Sequence, residues 1–456
     1  MTGSDEPRLK VLSLNCWGLW IVANKRRERI QAIAEWISNS SGSSRNSYHS
    51  DSSDLPNESE VGGGYDVIAL QEIWVRNDFD LIAERAKRAG LIYSKFFYSG
   101  AIGSGLAFLS RHFLESSFIT AYPLNGFPLH FIQGDFFAGK STCGISIRVP
   151  GIDRLVDVLN THMYAPGGEG DQLDGAHRIA QAWELAKLVN EKTERGRHVI
   201  CTGDFNSQPH SIIIQLIQSL SQLSDSWLET HPAPPSIAST QHRSLSPLQV
   251  MHTHGITCDS PLNTYSAKKL KHKSPSDDVI IRGGKRLDYI FYRSPPASSN
   301  HLKAVSTELR LTETVPNLSP PTSYSDHFAL ETIFTLSSTP QSSPSHLNAS
   351  ELLLRALSTL SSAYRQNSLR SRHHLQLFFL SLLLVPILSI SASFEPLKLL
   401  NWIWVLLGVV NGVAGSTMLY VGFIAGNWER GGLRNVVGEI EDEVERRRKR
   451  QEEGNW

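Results

Sequence analysis

His198-Val-Ile-Cys-Thr-Gly-Asp-Phe-Asn-Ser-Gln-Pro209 decides how this chain is read. Val199 to Cys201 is a short apolar run, the pattern of a buried strand, and it ends in Gly203 followed by polar groups. Asp204 and Asn206 lie two apart, so on an extended segment both side chains leave the same face. A carboxylate and a carboxamide at a strand's C-terminal end can hold a metal-bound water and a phosphoryl oxygen together. Taken alone, Asp-Phe-Asn-Ser reads more simply as an Asx-type turn closing a strand. The other strand ends must decide.

Upstream, Asp174 to Glu191 carries the longest helical periodicity before the C-terminal region, and Leu155 to Asn160 reads as a strand running into Thr161-His162. Ser141 to Val149 and Gly105 to Ser110 are strand-like. Tyr65 to Leu70 is a buried strand ending in Gln71-Glu72, with a helix over Phe79 to Gly90. Leu9 to Leu14 delivers Asn15, and Arg26 to Ile37 has helical spacing. Downstream, Ile212 to Leu223 reads as a helix. Arg286 to Tyr292 and Phe328 to Leu336 read as strands, with Ser325-Asp326-His327 before the second. Two stretches, about 38–64 and 232–282, lack apolar periodicity and read as disordered insertions, the second with the basic run Lys268 to Lys273. Strands with irregularly interspersed helices predict a layered α/β or α+β sandwich over 1–337.

The chemistry changes after 337. A linker and juxtamembrane segment (338–374, helix-like over Leu352 to Tyr364) leads to two uncharged apolar spans, 375–394 and 399–426. The first, at about 1.5 Å per residue, matches a hydrocarbon core of roughly 30 Å. Only Glu395 to Lys398 separates them, which predicts a transmembrane hairpin over 375–426. Arg365, Arg370 and Arg372 precede it and Arg430 and Arg434 follow, which predicts that the 1–337 part and the 427–456 tail lie in the cytosol. The tail has helical apolar spacing between charges, so it is an amphipathic or a merely solvated helix.

Lys plus Arg equals Asp plus Glu at 44 each in 456 residues, which argues against a partner held by phosphate neutralisation such as nucleic acid. Cysteines 16, 143, 201 and 258 form no CxxC pair and read as reduced thiols. The polar N-terminus has no signal-peptide core.

Collected in order, the strand-end groups are Asn15, Glu72, His162, Asp204 with Asn206, Asp288, and Asp326-His327. Packing alone does not explain so many polar groups after apolar strands, because a buried carboxylate is costly without a cation. The set suits a divalent-metal phosphoesterase: oxygen ligands for Mg²⁺ (or Mn²⁺), a histidine base and donors to phosphate.

Leu-Asn-Cys-Trp-Gly18, Leu-Gln-Glu-Ile-Trp74, Asn-Thr-His-Met163, Thr-Gly-Asp-Phe-Asn206, Arg-Leu-Asp-Tyr-Ile-Phe291 and Ser-Asp-His327 resemble the endonuclease/exonuclease/phosphatase superfamily. Gln-Glu-Ile-Trp74, Gly-Asp-Phe-Phe-Ala-Gly-Lys-Ser141, Thr-His-Met-Tyr-Ala-Pro166 and the paired spans are similar to its neutral sphingomyelinase branch, and within it to the fungal inositol phosphosphingolipid phospholipases C. The resemblance implies a four-layered sandwich of two mixed sheets flanked by helices, followed by the membrane hairpin. It implies hydrolysis of a sphingolipid phosphodiester to ceramide and a phosphorylated head group, in the endoplasmic reticulum or mitochondrial membrane, with anionic phospholipids as candidate activators. By the same resemblance Glu72 is the principal Mg²⁺ ligand with Asn15 beside it, and His327 is the general base, oriented by Asp326 or Asp288. Asp204 and Asn206 position water and metal, and Asn206 and His162 stabilise charge on phosphorus. Asp135 and Lys140 switch the site or meet the substrate.

Gly134 to Ser141 also satisfies G-x4-G-K-[ST], the phosphate loop of nucleotide hydrolases. That loop opens a helix, whereas Ser141 to Val149 alternates as a strand does, so no nucleotide is expected. The competing readings are a neutral sphingomyelinase, a DNA-repair endonuclease and a membrane scaffold with a dead site. Zero net charge and two spans disfavour the nuclease, and a dead site would require a replaced core residue, which is not seen.

Overall fold

A computed structural model describes residues 7–20, 22–40, 64–130, 134–167, 172–232, 246–270, 284–340, 348–394 and 398–453. Most of the 38–64 insertion, parts of 232–282 including the end of its basic run, and most of the turn between the apolar spans lie outside the described residues. The chain divides into two compact units.

The first unit comprises 1–121, 138–163 and 184–346. It holds two six-stranded sheets. One is ordered β11 (His301–Arg310), β12 (Ala329–Ser337), β1 (Leu9–Asn15), β2 (Val67–Gln71), β4 (Ala107–Ser110), β3 (Tyr93–Phe96). The other is ordered β5 (Leu114–Ala121), β6 (Ser141–Ile147), β7 (Val156–His162), β8 (His198–Asp204), β10 (Asp288–Arg293), β9 (Ser224–Asp225). Both are mixed: β1 runs parallel to β2 and β7 parallel to β8, while the other pairs are antiparallel.

Strand parity builds the layers. Leu9 and Val11 of β1 and Val67 and Ala69 of β2 share one core with Ile145, Val158, Ile200 and Ile290 of the other sheet. Leu12, Leu14, Ile68 and Leu70, on the alternate parity, pack with Ile30, Ile33 and Ile37 of α1 (Arg26–Asn39) and Phe79 and Ile82 of α2 (Arg76–Ala86). On the second sheet, Arg293 of β10 donates to Asn190 Oδ1 at 2.7 Å and to Ser221 O at 2.7 Å, tying in the long helix Gln172–Glu194 and the helix Ile212–Ser221. Two sheets with helices outside are the four layers expected.

The second unit comprises 122–137, 164–183 and 347–456. Helix Ala349–Ser393 runs 45 residues, merging the juxtamembrane stretch and the first apolar span. The second span and the tail are likewise continuous, Asn401–Leu419 and Gly426–Glu453, joined by a π-helical segment Tyr420–Ala425. Gly415 and Gly426 face Ser381 and Ser371, where an added Cβ would lie within 2.1 Å of the serine Oγ, so small residues let the helices approach closely. Both helices are long and apolar enough to cross a membrane, and their most apolar stretches are almost wholly unburied. The tail buries Leu433, Val436 and Ile440, so it is amphipathic. Trp183 Nε1 donates to Glu439 Oε2 at 2.6 Å, Arg370 pairs with Glu429 at 2.8 Å, and the Arg370 guanidinium lies 3.9 Å from the Phe127 ring centre.

The structure adds elements that periodicity missed. β3, β5, β9 and β11 were not expected, and residues 247–254 and 264–270, inside the supposed loop insertion, form two short helices. The first is set by a full capping box: Ser246 with Gln249, followed by Pro247 at the first turn.

Candidate active site

The same parity that makes the inter-sheet core makes the site. Asn15 and Gln71 continue the inward rows of β1 and β2 and are paired in register. His162, Asp204 and Asp288 continue the inward rows of β7, β8 and β10, and they too stand in register, His162 beside Asp204 and Asp204 opposite Asp288. Gly203 makes this close approach feasible. Its φ is +137°, and a Cβ there would lie 2.0 Å from Thr161 O.

Asn15 Nδ2 donates to Asp204 Oδ2 at 3.0 Å and to Glu72 Oε1 at 3.2 Å, while its Oδ1 accepts from Trp17 N–H at 3.0 Å. One amide thus spaces two carboxylates. His162 Nε2 lies 3.7 Å from both Glu72 Oε1 and Asp204 Oδ2, and Lys140 Nζ is 3.0 Å from both ring nitrogens of His162. His327 Nδ1 is 2.8 Å from Asp288 Oδ2, with Nε2 at 3.8 Å from Asp204 Oδ2. Of the two candidates for orienting His327, Asp288 makes the contact. Asp326 Oδ1 lies instead 3.3 Å from Ser325 Oγ, and its charge acts on Glu72.

Asn206 departs from the same-face reading. β8 ends at Asp204, Asn206 has a φ of +47°, and its N–H donates to Asp204 Oδ1 at 2.9 Å. This is the Asx turn, which asparagine tolerates because its short side chain accepts the left-handed region. Its Nδ2 donates to Met163 O at 3.0 Å. Turn and site coexist: Oδ1 of Asp204 closes the turn and Oδ2 faces the other carboxylates.

Asp135 begins the four-residue helix Asp135–Ala138 in the second unit, where its Oδ1 accepts from Ala165 N–H at 3.5 Å. The segment after Lys140 is strand β6, as its alternation requires.

Burial sets the electrostatics. It pushes Asp204 up to about 7, with help from the Asp288 charge, and raises Glu72, with help from Asp326 and against Lys140. His162 is held well below its usual range by burial, then by Lys140 and His327. Burial would also lower His327, but Cys258, Asp288 and Asp204 hold it well above the usual range. The Cys258 thiol is itself pushed up to about 11 by burial.

Glu72 Oε2 and Asp288 Oδ1 are buried without a hydrogen-bond partner. Unsatisfied carboxylate oxygens at both ends of an acidic cluster fit a hard divalent cation, which takes oxygen ligands. Asp204, Asp288 and His327 offer ligand atoms that all lie within 4.8 Å of one another. Strand periodicity gave no role to two buried residues, Gln71 and Asn160. Gln71 Nε2 donates to Asn160 Oδ1 at 2.7 Å, and Asn160 Nδ2 to Leu70 O at 2.9 Å, joining the sheets beneath the site. Their signal was present: amides inside otherwise apolar strands.

The profile of the Endonuclease/Exonuclease/phosphatase family matches residues 12–327, which span every strand of this site. The chain belongs to this family. Among the family's members, the inositol phosphosphingolipids phospholipase C of Schizosaccharomyces pombe is 32% identical, covering 97% of this chain and 96% of its own. The protein of that name from Saccharomyces cerevisiae is 33% identical, covering 96% and 89%. Sphingomyelin phosphodiesterase 2 of Mus musculus is 28% identical and covers 74% and 68%. These family members are phosphodiesterases, and so is this chain.

Proposed function

We propose that this phosphodiesterase is a Mg²⁺-dependent phospholipase C that cleaves inositol phosphosphingolipids into ceramide and a phosphorylated head group. One observation favours this head group over phosphocholine. The similarity to the two inositol phosphosphingolipid enzymes runs through both apolar helices, at 97% and 96% of the chain, whereas that to the mouse sphingomyelinase covers 74%.

Glu72 would be the principal ligand of the cation, with Asn15 beside it and Asp204 helping to position it; bound there, Mg²⁺ would supply Lewis acidity to the phosphoryl oxygens. Asn15 keeps Glu72 and Asp204 at a fixed spacing. His327 takes the proton of the attacking water at Nε2, because Asp288 occupies Nδ1 and fixes the ring. The carboxylates that favour its imidazolium are those a cation would neutralise, which returns the ring to a base. Asp204 and Asn206 position the water. His162 and Asn206 donate to charge developing on phosphorus, and Lys140, 3.0 Å from His162, adds a cation beside the same oxygens. Asp135 and Lys140 would switch the site or meet the substrate. The apolar spans 375–394 and 399–426 would anchor the enzyme as a hairpin, catalytic part and tail cytosolic, in the endoplasmic reticulum or mitochondrial membrane.

The test is a panel of inositol phosphoceramide, sphingomyelin and single-stranded DNA presented to purified full-length protein with Mg²⁺, Mn²⁺ or EDTA. Ceramide release from inositol phosphoceramide with Mg²⁺ and none with EDTA is expected. Faster turnover of sphingomyelin would move the assignment to the sphingomyelinase reading, and DNA cleavage would overturn it. In sealed vesicles, protease should cut both the catalytic part and the tail from the cytosolic side; a protected tail would leave a single span.

A further inference from the structure

Arg29 is fully buried on the first turn of α1, yet each of its four hydrogen bonds goes to a main-chain carbonyl. Nε donates to Asn24 O at 3.0 Å. Nη1 donates to Cys16 O at 3.0 Å and Tyr324 O at 2.8 Å, and Nη2 to Trp17 O at 2.7 Å. The guanidinium stacks near Trp17 and Tyr265, 4.9 and 5.8 Å from their ring centres. Burying a guanidinium against neutral carbonyls is costly, so a helix would not keep one there for packing alone.

The carbonyls belong to two segments far apart in sequence. Cys16 and Trp17 follow Asn15, and Tyr324 precedes Asp326 and His327. Trp17, with a φ of +45°, is held in the left-handed region that a bulky side chain rarely adopts. Its N–H donates to Asn15 Oδ1, which leaves Asn15 Nδ2 to Glu72 and Asp204. On the other side, Ser325 Oγ donates to Asn15 O at 2.6 Å and accepts from His327 N–H at 3.3 Å. Both paths from Arg29 end on reacting groups.

We propose that Arg29 is a positioning residue: its guanidinium fork staples the segment bearing Asn15 to the segment bearing His327, and so sets the spacing of the carboxylates to the base. This rests on the reading of Asn15, Glu72, Asp204 and His327 as the reacting site, whichever lipid head group it accepts. Lysine cannot substitute, because its three N–H groups radiate from one point and cannot span four carbonyls in a plane.

The experiment compares full-length Arg29→Lys, Arg29→Met and, as control, Arg27→Met, an exposed neighbour on the same helix. Three quantities are read: Mg²⁺ affinity by calorimetry, kcat and KM separately, and the thermal midpoint. Arg29→Lys is expected to stay folded, with kcat down about 10²-fold, the loss typical of a 1 Å misplacement, and Mg²⁺ affinity weakened at least tenfold. Lipid KM should hold within about twofold, since substrate binding is not what the staple supports. Arg29→Met should show the same or larger losses, and Arg27→Met none. If Arg29→Met does not fold, Arg29→Lys alone carries the test. Full kcat and Mg²⁺ affinity in Arg29→Lys would mean that charge, not the fork, matters, and would overturn the staple. A lowered midpoint with unchanged kcat and Mg²⁺ affinity would make Arg29 merely structural and overturn it too. Failure of the parent to bind Mg²⁺ at all would instead sink the functional reading beneath it.

Discussion

Replacing Gly203 by alanine asks whether the close approach of β7 and β8 is what assembles the site. The new Cβ would meet Thr161 O at 2.0 Å, against a floor of 3.0 Å for real Cβ contacts, and the atom it meets is backbone. The strands must therefore part by about 1 Å, and the φ of +137° adds strain for any residue with a side chain. His162 and Asp204 sit next to the point of strain, and their 3.7 Å separation and the 3.0 Å bond from Asn15 cannot survive such a shift. The strain should cost about 1–3 kcal/mol of stability. The displacement should lower kcat/KM about 10²-fold, as 1 Å misplacements do. Turnover of detergent-dispersed lipid, with thermal unfolding of the same samples, measures both. Activity within about twofold of the parent in a folded Gly203→Ala protein would refute the reasoning.

Asp288→Asn should cost about 10²–10⁴ in kcat because it unfixes the His327 ring, and Asp326→Asn at least tenfold less; kinetics of the pair that reversed this order would undo the assignment from the 2.8 Å contact. His198 is fully buried and its pKa is pushed down to about 4 by burial, so the neutral ring is its folded form. Stability should be full above pH about 6.5 and fall as pH drops towards 4, by about 3 kcal/mol at most. His198→Gln should flatten that part of the pH–stability curve, read as the difference between variant and parent. Removing residues 347–456 should expose segments 122–137 and 164–183, because Trp183 loses Glu439 and Phe127 loses Arg370; limited proteolysis should cut there first, and unchanged resistance would argue against their docking on the helices.

Much of the fold was legible because the central strands are buried on both faces, so β1, β2, β7, β8, β10 and β12 read as apolar runs with a polar residue at the end. The edge strands were not. β5, Leu-Glu-Ser-Ser-Phe-Ile-Thr-Ala121, is mostly exposed, and its pairing with β6 is a property of the partner that its own pattern does not carry. Residues 246–270 looked like loop by composition, and there the cap at Ser246 outweighed the missing periodicity. In the site, spacing marked Asp204 but misjudged Asn206, since a two-residue interval implies one face only while the strand continues. Nor could spacing choose between Asp288 and Asp326. That choice lies in the antiparallel register of β8 with β10, a relation between residues 84 apart in sequence. Arg29 gave no signal at all, because an arginine on an amphipathic helix looks solvated until the loops it reaches are folded.

The central claim is that water, activated at His327, attacks phosphorus and ceramide leaves. Hydrolysis of inositol phosphoceramide in H₂¹⁸O with Mg²⁺, followed by mass spectrometry of both products, tests it most directly. One ¹⁸O in the inositol phosphate and none in the ceramide, with no labelled product from His327→Ala, is the predicted result. Label in the ceramide hydroxyl, or release of ceramide phosphate, would place the cleavage elsewhere and contradict the account.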